Sequence, residues 1–110
     1  MTRILILGGT AEARHLAERL AGRADLDVTL SLAGRTVAPA LQPVPVRRGG
    51  FGGAAGLADY LHREQIDVLI DATHPYASGI SANACAAART SNVQFMALRR
   101  PPWVAVAAAP

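Results

Sequence analysis

The side chains best suited to chemistry lie together in one short segment, Asp71-Ala72-Thr73-His74-Pro75-Tyr76. A histidine such as His74 can donate a hydrogen bond to a carboxylate or move a proton near neutral pH. The alternative is a histidine that only the turn before Pro75 holds in place. Asp71 is expected to cap the turn or to fix Thr73 rather than to act as a general base. His74 is therefore the candidate catalytic residue.

A second candidate site is the glycine turn Gly8-Gly9-Thr10-Ala11-Glu12. It lies between an apolar run and a segment of helical period, so it joins a buried strand to a helix. The N–H groups and the positive dipole end of such a helix hold a phosphate. Threonine stands where the dinucleotide fingerprint G-x-G-x-x-G has its second glycine. A tight turn without a ligand is therefore the alternative.

An arginine follows the predicted second strand, at about the distance where dinucleotide folds place the residue that reads the adenosine ribose. This residue is Arg35, and the hydroxyl-bearing Ser31 and Thr36 flank it. An acidic residue at that place suits NAD, whereas an arginine accommodates the 2′-phosphate of NADP. The alternative is a solvated loop arginine. We expect NADPH rather than NADH.

Two further segments have ligand-binding potential. In Gly49-Gly50-Phe51-Gly52-Gly53 the glycines allow close approach of backbone, and Phe51 can lie against a flat ring or fill the core. Arg99 and Arg100 follow the predicted fifth strand. They can grip an acidic ligand or remain solvated before a proline stop.

The elements that must position these residues alternate between strands and helices. Apolar runs and alternations predict five strands, at residues 4–7, 27–32, 44–47, 66–70 and 94–98. This pattern favours an α/β fold, a Rossmann-like open parallel sheet of about five strands with helices on both faces, in three α/β/α layers. Ligands bind at the carboxyl ends of such strands, where the glycine turn and the His74 segment would meet.

An alanine-rich stretch, residues 77–90, predicts a helix that packs closely on the sheet. The residues expected on its packed side are Ile80, Ala84, Ala87 and Ala88. Ser78, Ser81 and Asn83 are expected to cap its start, with ligand contacts as the alternative. Cys85 lies in the same stretch and is expected to be a small buried core residue.

Composition narrows the range of functions. The chain has 110 residues, of which 51% are apolar, enough for one domain with its own core. All 11 basic residues are arginine, which excludes a Schiff-base lysine and the lysine of a Walker-type loop. The net charge of +3 favours anionic small molecules. Scattered arginines and only 5% aromatic residues argue against nucleic acid.

The apolar runs are short throughout the chain. None approaches the roughly 18 apolar residues of a membrane span. The start, Met1-Thr2-Arg3, leads into only a few apolar residues before the glycines, unlike a signal peptide. We therefore expect a cytoplasmic protein that does not associate with membranes.

The motifs occur in one order and at a spacing that resembles the precorrin-6A reductase family, also called precorrin-6x reductase. The resemblance covers the N-terminal half of that family, from about residue 1 to Trp103. The matching segments are Ile6-Leu7-Gly8-Gly9-Thr10-Ala11-Glu12-Ala13-Arg14, Ser31-Leu32-Ala33-Gly34-Arg35-Thr36, Gly49-Gly50-Phe51-Gly52-Gly53, Asp71-Ala72-Thr73-His74-Pro75-Tyr76 and Arg99-Arg100-Pro101-Pro102-Trp103.

The resemblance implies an oxidoreductase of cobalamin (corrin) biosynthesis. Such an enzyme transfers a hydride from NADPH to a double bond of the anionic tetrapyrrole precorrin-6A and yields precorrin-6B. Its fold resembles two Rossmann-like halves with the active site in the cleft between them. No metal site is expected in this chain.

The resemblance also implies roles for individual residues. Those that would bind the cofactor are Gly8, Gly9, Thr10, Ala11, Glu12, Ser31, Gly34, Arg35, Thr36, Gly50, Phe51, Gly52, Gly53, Thr73 and Tyr76. His74, Arg99 and Arg100 would contact the macrocycle, whose carboxylates suit arginine.

The family continues beyond this chain into a second α/β half. We therefore expect residues 1–103 to form the cofactor-binding domain and residues 104–110 to be a truncated linker toward a missing second domain. Such a fragment would bind NADPH without reducing the macrocycle. The alternative is a stand-alone NAD(P)-binding or nucleotide-sensing module without catalysis. A short-chain dehydrogenase is disfavoured, because its Tyr-x-x-x-Lys pair needs a lysine.

Overall fold

The computed structural model describes residues 1–32, 43–73 and 78–98. Five strands and three helices lie along these residues. They are β1 (Thr2–Leu7), α1 (Ala11–Leu20), β2 (Leu26–Leu32), β3 (Val46–Arg48), α2 (Gly53–Arg63), β4 (Val68–Asp71), α3 (Ser78–Ser91) and β5 (Gln94–Ala97).

All five strands lie in one parallel sheet, in the order β3-β2-β1-β4-β5. The most apolar strand, β1, is central because its last four residues are buried and leave no polar face for solvent. The predicted Rossmann-like parallel sheet is confirmed.

The core has two layers, one on each face of the sheet. On one face, α1 buries Ala13 and Ala17 against Ile4, Ile6 and Leu30. On the other face lie α2 and α3, which bury leucines and alanines around Leu5 and Leu69. This alternation along β1 sends even-numbered residues toward α1 and odd-numbered residues toward α2 and α3.

The alanines of α3 are buried as predicted, but Ile80 in its first turn is not. Ala84, Ala87 and Ala88 are buried against the sheet. Ile80, predicted on the same side, is 42% exposed, because it lines the open pocket at the carboxyl edge of the sheet. The prediction of a buried Cys85 is also wrong. It is half-buried, with Arg89 Nη2 at 4.0 Å from its Sγ.

Among the residues that the structure describes, no helix has both the length and the apolar character needed to cross a membrane.

Candidate functional site

The carboxyl edge of the sheet has a crevice where the strand order reverses. From β1, the chain first adds β2 and β3 on one side and then returns to add β4 and β5 on the other. The connections after β1 and β4 consequently diverge to opposite faces of the sheet. In parallel α/β sheets this is the place where ligands bind.

Thr10 joins the two loops that border this reversal. It is the N-cap of α1, and its Oγ1 accepts a hydrogen bond from the Ala13 N–H at 3.1 Å. The same hydroxyl donates to the main-chain oxygen of Ala72, just after β4, at 2.6 Å. Threonine at the second glycine position therefore caps the helix and ties β1 to β4.

A buried carboxylate shapes the end of β4. Asp71 is 0% exposed, and its Oδ1 accepts hydrogen bonds from the Thr73 N–H at 3.1 Å and from the Thr73 hydroxyl at 2.6 Å. The Ser81 hydroxyl of α3 lies 3.5 Å from the Thr73 hydroxyl. The expectation that Asp71 fixes Thr73 is confirmed. The carboxylate sets the path of the chain where the His74 segment begins.

A pocket of about 220 Å³ opens at this edge, on the face that carries α2 and α3. The ends of β1 and β2, the loop after β3 and the first turns of two helices enclose it. Its lining residues are Leu7, Gly8, Ser31, Gly49, Gly50, Phe51, Gly52, Gly53, Leu57, Thr73, Ile80 and Asn83.

Seven of the predicted site residues line this pocket, although they come from four separate segments. They are Gly8, Ser31, Gly50, Phe51, Gly52, Gly53 and Thr73. Gly9, Thr10, Ala11 and Glu12 lie beside it, in the turn that leads to α1 on the opposite face, and are not part of its lining. The remaining predicted residues, Gly34, Arg35, Thr36, His74, Tyr76, Arg99 and Arg100, lie outside the described residues.

The glycine-rich loop forms one wall of the pocket with its main chain. Gly49, Gly52 and Gly53 have φ values of 99°, 90° and 76°, which L-residues with side chains rarely adopt. Gly56, in the first turn of α2, was not predicted to matter. A Cβ there would run into the main-chain carbonyl of Phe51, so α2 lies directly against the loop.

Arg47, on β3, is a residue that the sequence prediction missed. Its Nη1 donates to Ser31 Oγ at 3.2 Å and to the Gly49 carbonyl at 2.9 Å, and its Nη2 donates to the Gly50 carbonyl at 3.2 Å. A signal exists in the sequence, since two adjacent arginines, Arg47 and Arg48, precede the glycine-rich loop. Only the register, which pairs Ser31 with Arg47, places the two side chains on one face.

Phe51 lies between the pocket and the core. Its ring is covered by the Arg47 guanidinium, 3.8 Å from the ring centre, and meets the Tyr60 ring edge-on at 5.1 Å. It also packs against the buried cluster around Leu5. Burial, and to a lesser extent the charge of Glu64, raises the pKa of Tyr60, and the positive charges of Arg47 and Arg63 only partly oppose this rise.

The comparisons with known proteins agree with this geometry. The family model for precorrin-6x reductase CbiJ/CobK matches residues 3–109. The chain belongs to this reductase family. A precorrin-6A reductase from Sinorhizobium sp is 60% identical over 102 residues, which are 93% of this chain and 39% of that protein. A precorrin-6A reductase from Rhodobacter capsulatus is 54% identical over 107 residues, which are 97% of this chain and 42% of that protein.

A solved structure of the family has the same fold. The CobK precorrin-6A reductase superimposes with a TM-score of 0.90 at 54% identity, covering 94% of this chain and 41% of that one. The chain thus spans about two fifths of the length of the reductases that it matches.

Proposed function

We propose that this chain is the cofactor-binding part of an NADPH-dependent precorrin-6A reductase of cobalamin biosynthesis. The observation that carries the proposal is the pocket at the strand reversal, in a chain of this family. The second half of the catalytic cleft would come from residues beyond the two fifths that this chain represents. A cytoplasmic location remains a prediction.

The proposed cofactor contacts follow the carboxyl edge of the sheet. The main-chain N–H groups of residues 9–12 would face the pyrophosphate, because α1 directs its positive dipole end toward the crevice. Ser31, Gly34, Arg35 and Thr36 would surround the 2′-phosphate. Residues 50–53 and Thr73 border the pocket that would hold further parts of the dinucleotide.

The proposed chemistry needs alignment more than a nucleophile. Bound NADPH supplies a hydride to one carbon of a macrocycle double bond, and a proton completes the other carbon. Residues 73–76 would border the two rings, and His74 is the proposed proton donor. Arg99 and Arg100 would bind carboxylates of the macrocycle by charge-assisted hydrogen bonds. The main contribution of this chain to catalysis would be to hold the nicotinamide ring and the macrocycle in the orientation that hydride transfer requires.

Titration calorimetry with NADPH and NADH tests the cofactor assignment. We expect the wild-type chain to prefer NADPH and Arg35→Ala to lose that preference. The loss of a charge-assisted phosphate contact costs about 1.5–3 kcal/mol, which is roughly 10- to 150-fold in affinity. Arg48→Ala removes the same charge from an exposed position on β3 and should leave the preference intact. Equal affinities of the wild type for the two cofactors would contradict the assignment.

An activity assay separates the reductase part from a stand-alone nucleotide-binding module. The 110-residue chain is expected to bind NADPH but not to reduce precorrin-6A. A full-length reductase carrying this chain as its first part should be active and should lose activity with His74→Gln. Normal turnover by the 110-residue chain alone would contradict the division of the cleft between two halves.

A further inference from the structure

Arg47 holds together two parts of the pocket that are separate in the sequence, the end of β2 and the glycine-rich loop. Its two terminal nitrogens bond the Ser31 hydroxyl on β2 and the carbonyls of Gly49 and Gly50 in the glycine-rich loop. Its guanidinium plane lies over Phe51 and, at 5.1 Å, over Tyr60. Four of these five partners, Ser31, Gly49, Gly50 and Phe51, line the pocket.

This contact sets the direction of the Ser31 hydroxyl. A guanidinium can only donate hydrogen bonds, so Ser31 Oγ must accept the one from Arg47. The hydroxyl hydrogen is then directed away from Arg47. Ser31 is 5% exposed and its exposed part faces the pocket. The side chain is thereby prepared to donate to an acceptor atom in the pocket, such as a phosphate oxygen.

The same contacts place a positive charge beside the pocket. Within the described part of the chain, the partners of Arg47 are a hydroxyl, two carbonyls and two aromatic rings, all of them neutral. The carboxylates of the described ion pairs lie with Arg3, Arg14, Arg23 and Arg63 instead. A half-buried charge with neutral partners favours an anionic ligand nearby, because water screens it less than an exposed one.

We propose that Arg47 is a positioning residue for the phosphate-bearing part of the cofactor, acting by holding Ser31 as a donor and by fixing the carbonyls of the glycine-rich loop. The inference rests on the proposed function, since it concerns the same pocket. Arg47 joins the proposed cofactor-binding residues although it does not itself line the pocket. This role also requires the planar fork of arginine, because a lysine ammonium cannot bond three acceptors and cover a ring at once.

A double-mutant cycle on NADPH affinity tests the proposal. The variants are Arg47→Gln, Ser31→Ala and the combination of the two, each titrated with NADPH by calorimetry. We expect Arg47→Gln to weaken binding about tenfold or more, and to do so much less when Ser31 is already alanine. A purely structural arginine would cost the same affinity in both backgrounds, and that result would overturn the proposal.

Two further variants distinguish positioning from charge. Arg48→Gln removes an exposed charge from the next residue and should stay within about twofold of the wild type, because exposed charges are screened. A loss as large as that of Arg47→Gln would overturn the proposal. Arg47→Lys keeps the charge but not the fork and should remain weakened about threefold or more. If Arg47→Lys bound NADPH as tightly as the wild type, that result would also overturn the proposal.

Folding and ligand binding are measured separately. Urea unfolding of each variant shows whether it folds, and if Arg47→Gln does not, Arg47→Lys replaces it in the cycle with Ser31→Ala. If the wild-type chain itself does not bind NADPH, the proposed function fails. If the wild type binds and the cycle shows no coupling, only the role of Arg47 fails.

Discussion

Three polar residues at the carboxyl edge each connect parts of the fold through a small number of short hydrogen bonds. Thr10 joins the start of α1 to the end of β4, Asp71 holds Thr73, and Arg47 joins β2 to the glycine-rich loop. Their partners are largely main-chain groups or hydroxyls within the fold. The pocket at the carboxyl edge is therefore shaped by side chains whose polar atoms mostly face the protein itself.

Thr10→Val tests this role at a single residue. Valine keeps the shape of threonine but loses the acceptor for the Ala13 N–H and the donor to the Ala72 carbonyl. We expect the free energy of unfolding to fall by about 1–3 kcal/mol, measured by urea denaturation. Thr10→Ser keeps the hydroxyl and should lose less than half as much. Equal stability of Thr10→Val and the wild type would contradict the bridging role.

The glycine-rich loop and α2 act as one structural element. The loop ends at Gly52, which is the N-cap of α2 in a left-handed conformation, and the helix then passes over the loop at Gly56. Phe51 is held between the helix, Arg47 and the core. The pocket wall is consequently joined to α2 at Gly52 and in direct contact with it at Gly56.

Gly56→Ala is expected to disturb this junction, with Gly79→Ala as its matched control. The added methyl group at position 56 meets the main-chain carbonyl of Phe51, and a main chain cannot rotate away as a side chain can. We expect a loss of about 1–3 kcal/mol in unfolding free energy. Position 79 lies in α3 with nothing within 4 Å of an added Cβ. There alanine should stabilise by about 0.4–1 kcal/mol through lower backbone entropy. If alanine raised the unfolding free energy at both positions, the close contact between α2 and the glycine-rich loop would be contradicted.

At the scale of the whole molecule, the sheet separates two apolar layers. Among the described residues, the central strands β1 and β4 contribute buried side chains both to the layer under α1 and to the layer under α2 and α3. The pocket opens where these two strands end, beside the buried residues of the core.

Leu69→Ala tests whether these layers unfold as one unit. Leu69 is fully buried on β4, and its truncation should cost about 2–5 kcal/mol while the urea m-value stays unchanged. Met96→Ala, on neighbouring β5, removes a side chain that is 51% exposed and should change stability by about 0.5 kcal/mol or less. Two separate unfolding transitions in Leu69→Ala would contradict a single cooperative core.

Much of the fold could be predicted without coordinates. Apolar runs such as residues 4–7 fixed the type and order of the elements, because a strand buried on both faces and an amphipathic helix have different periods. The fixing of Thr73 by Asp71 was also predictable, since an aspartate side chain readily accepts hydrogen bonds from the residue two positions further along the chain. The ordered motifs, together with their spacing, indicated the reductase family.

Only the tertiary structure decided which side chains from distant segments meet. The contact of Arg47 with Ser31 depends on the register between β2 and β3. The close contact between Gly56 of α2 and the main-chain carbonyl of Phe51 depends on the path of the glycine-rich loop. Ile80 has the period of a packed residue but lines the open pocket and is 42% exposed. Periodicity specifies the face of an element on which a residue lies. Whether a neighbour, a pocket or solvent covers that face is set by how the elements pack in three dimensions.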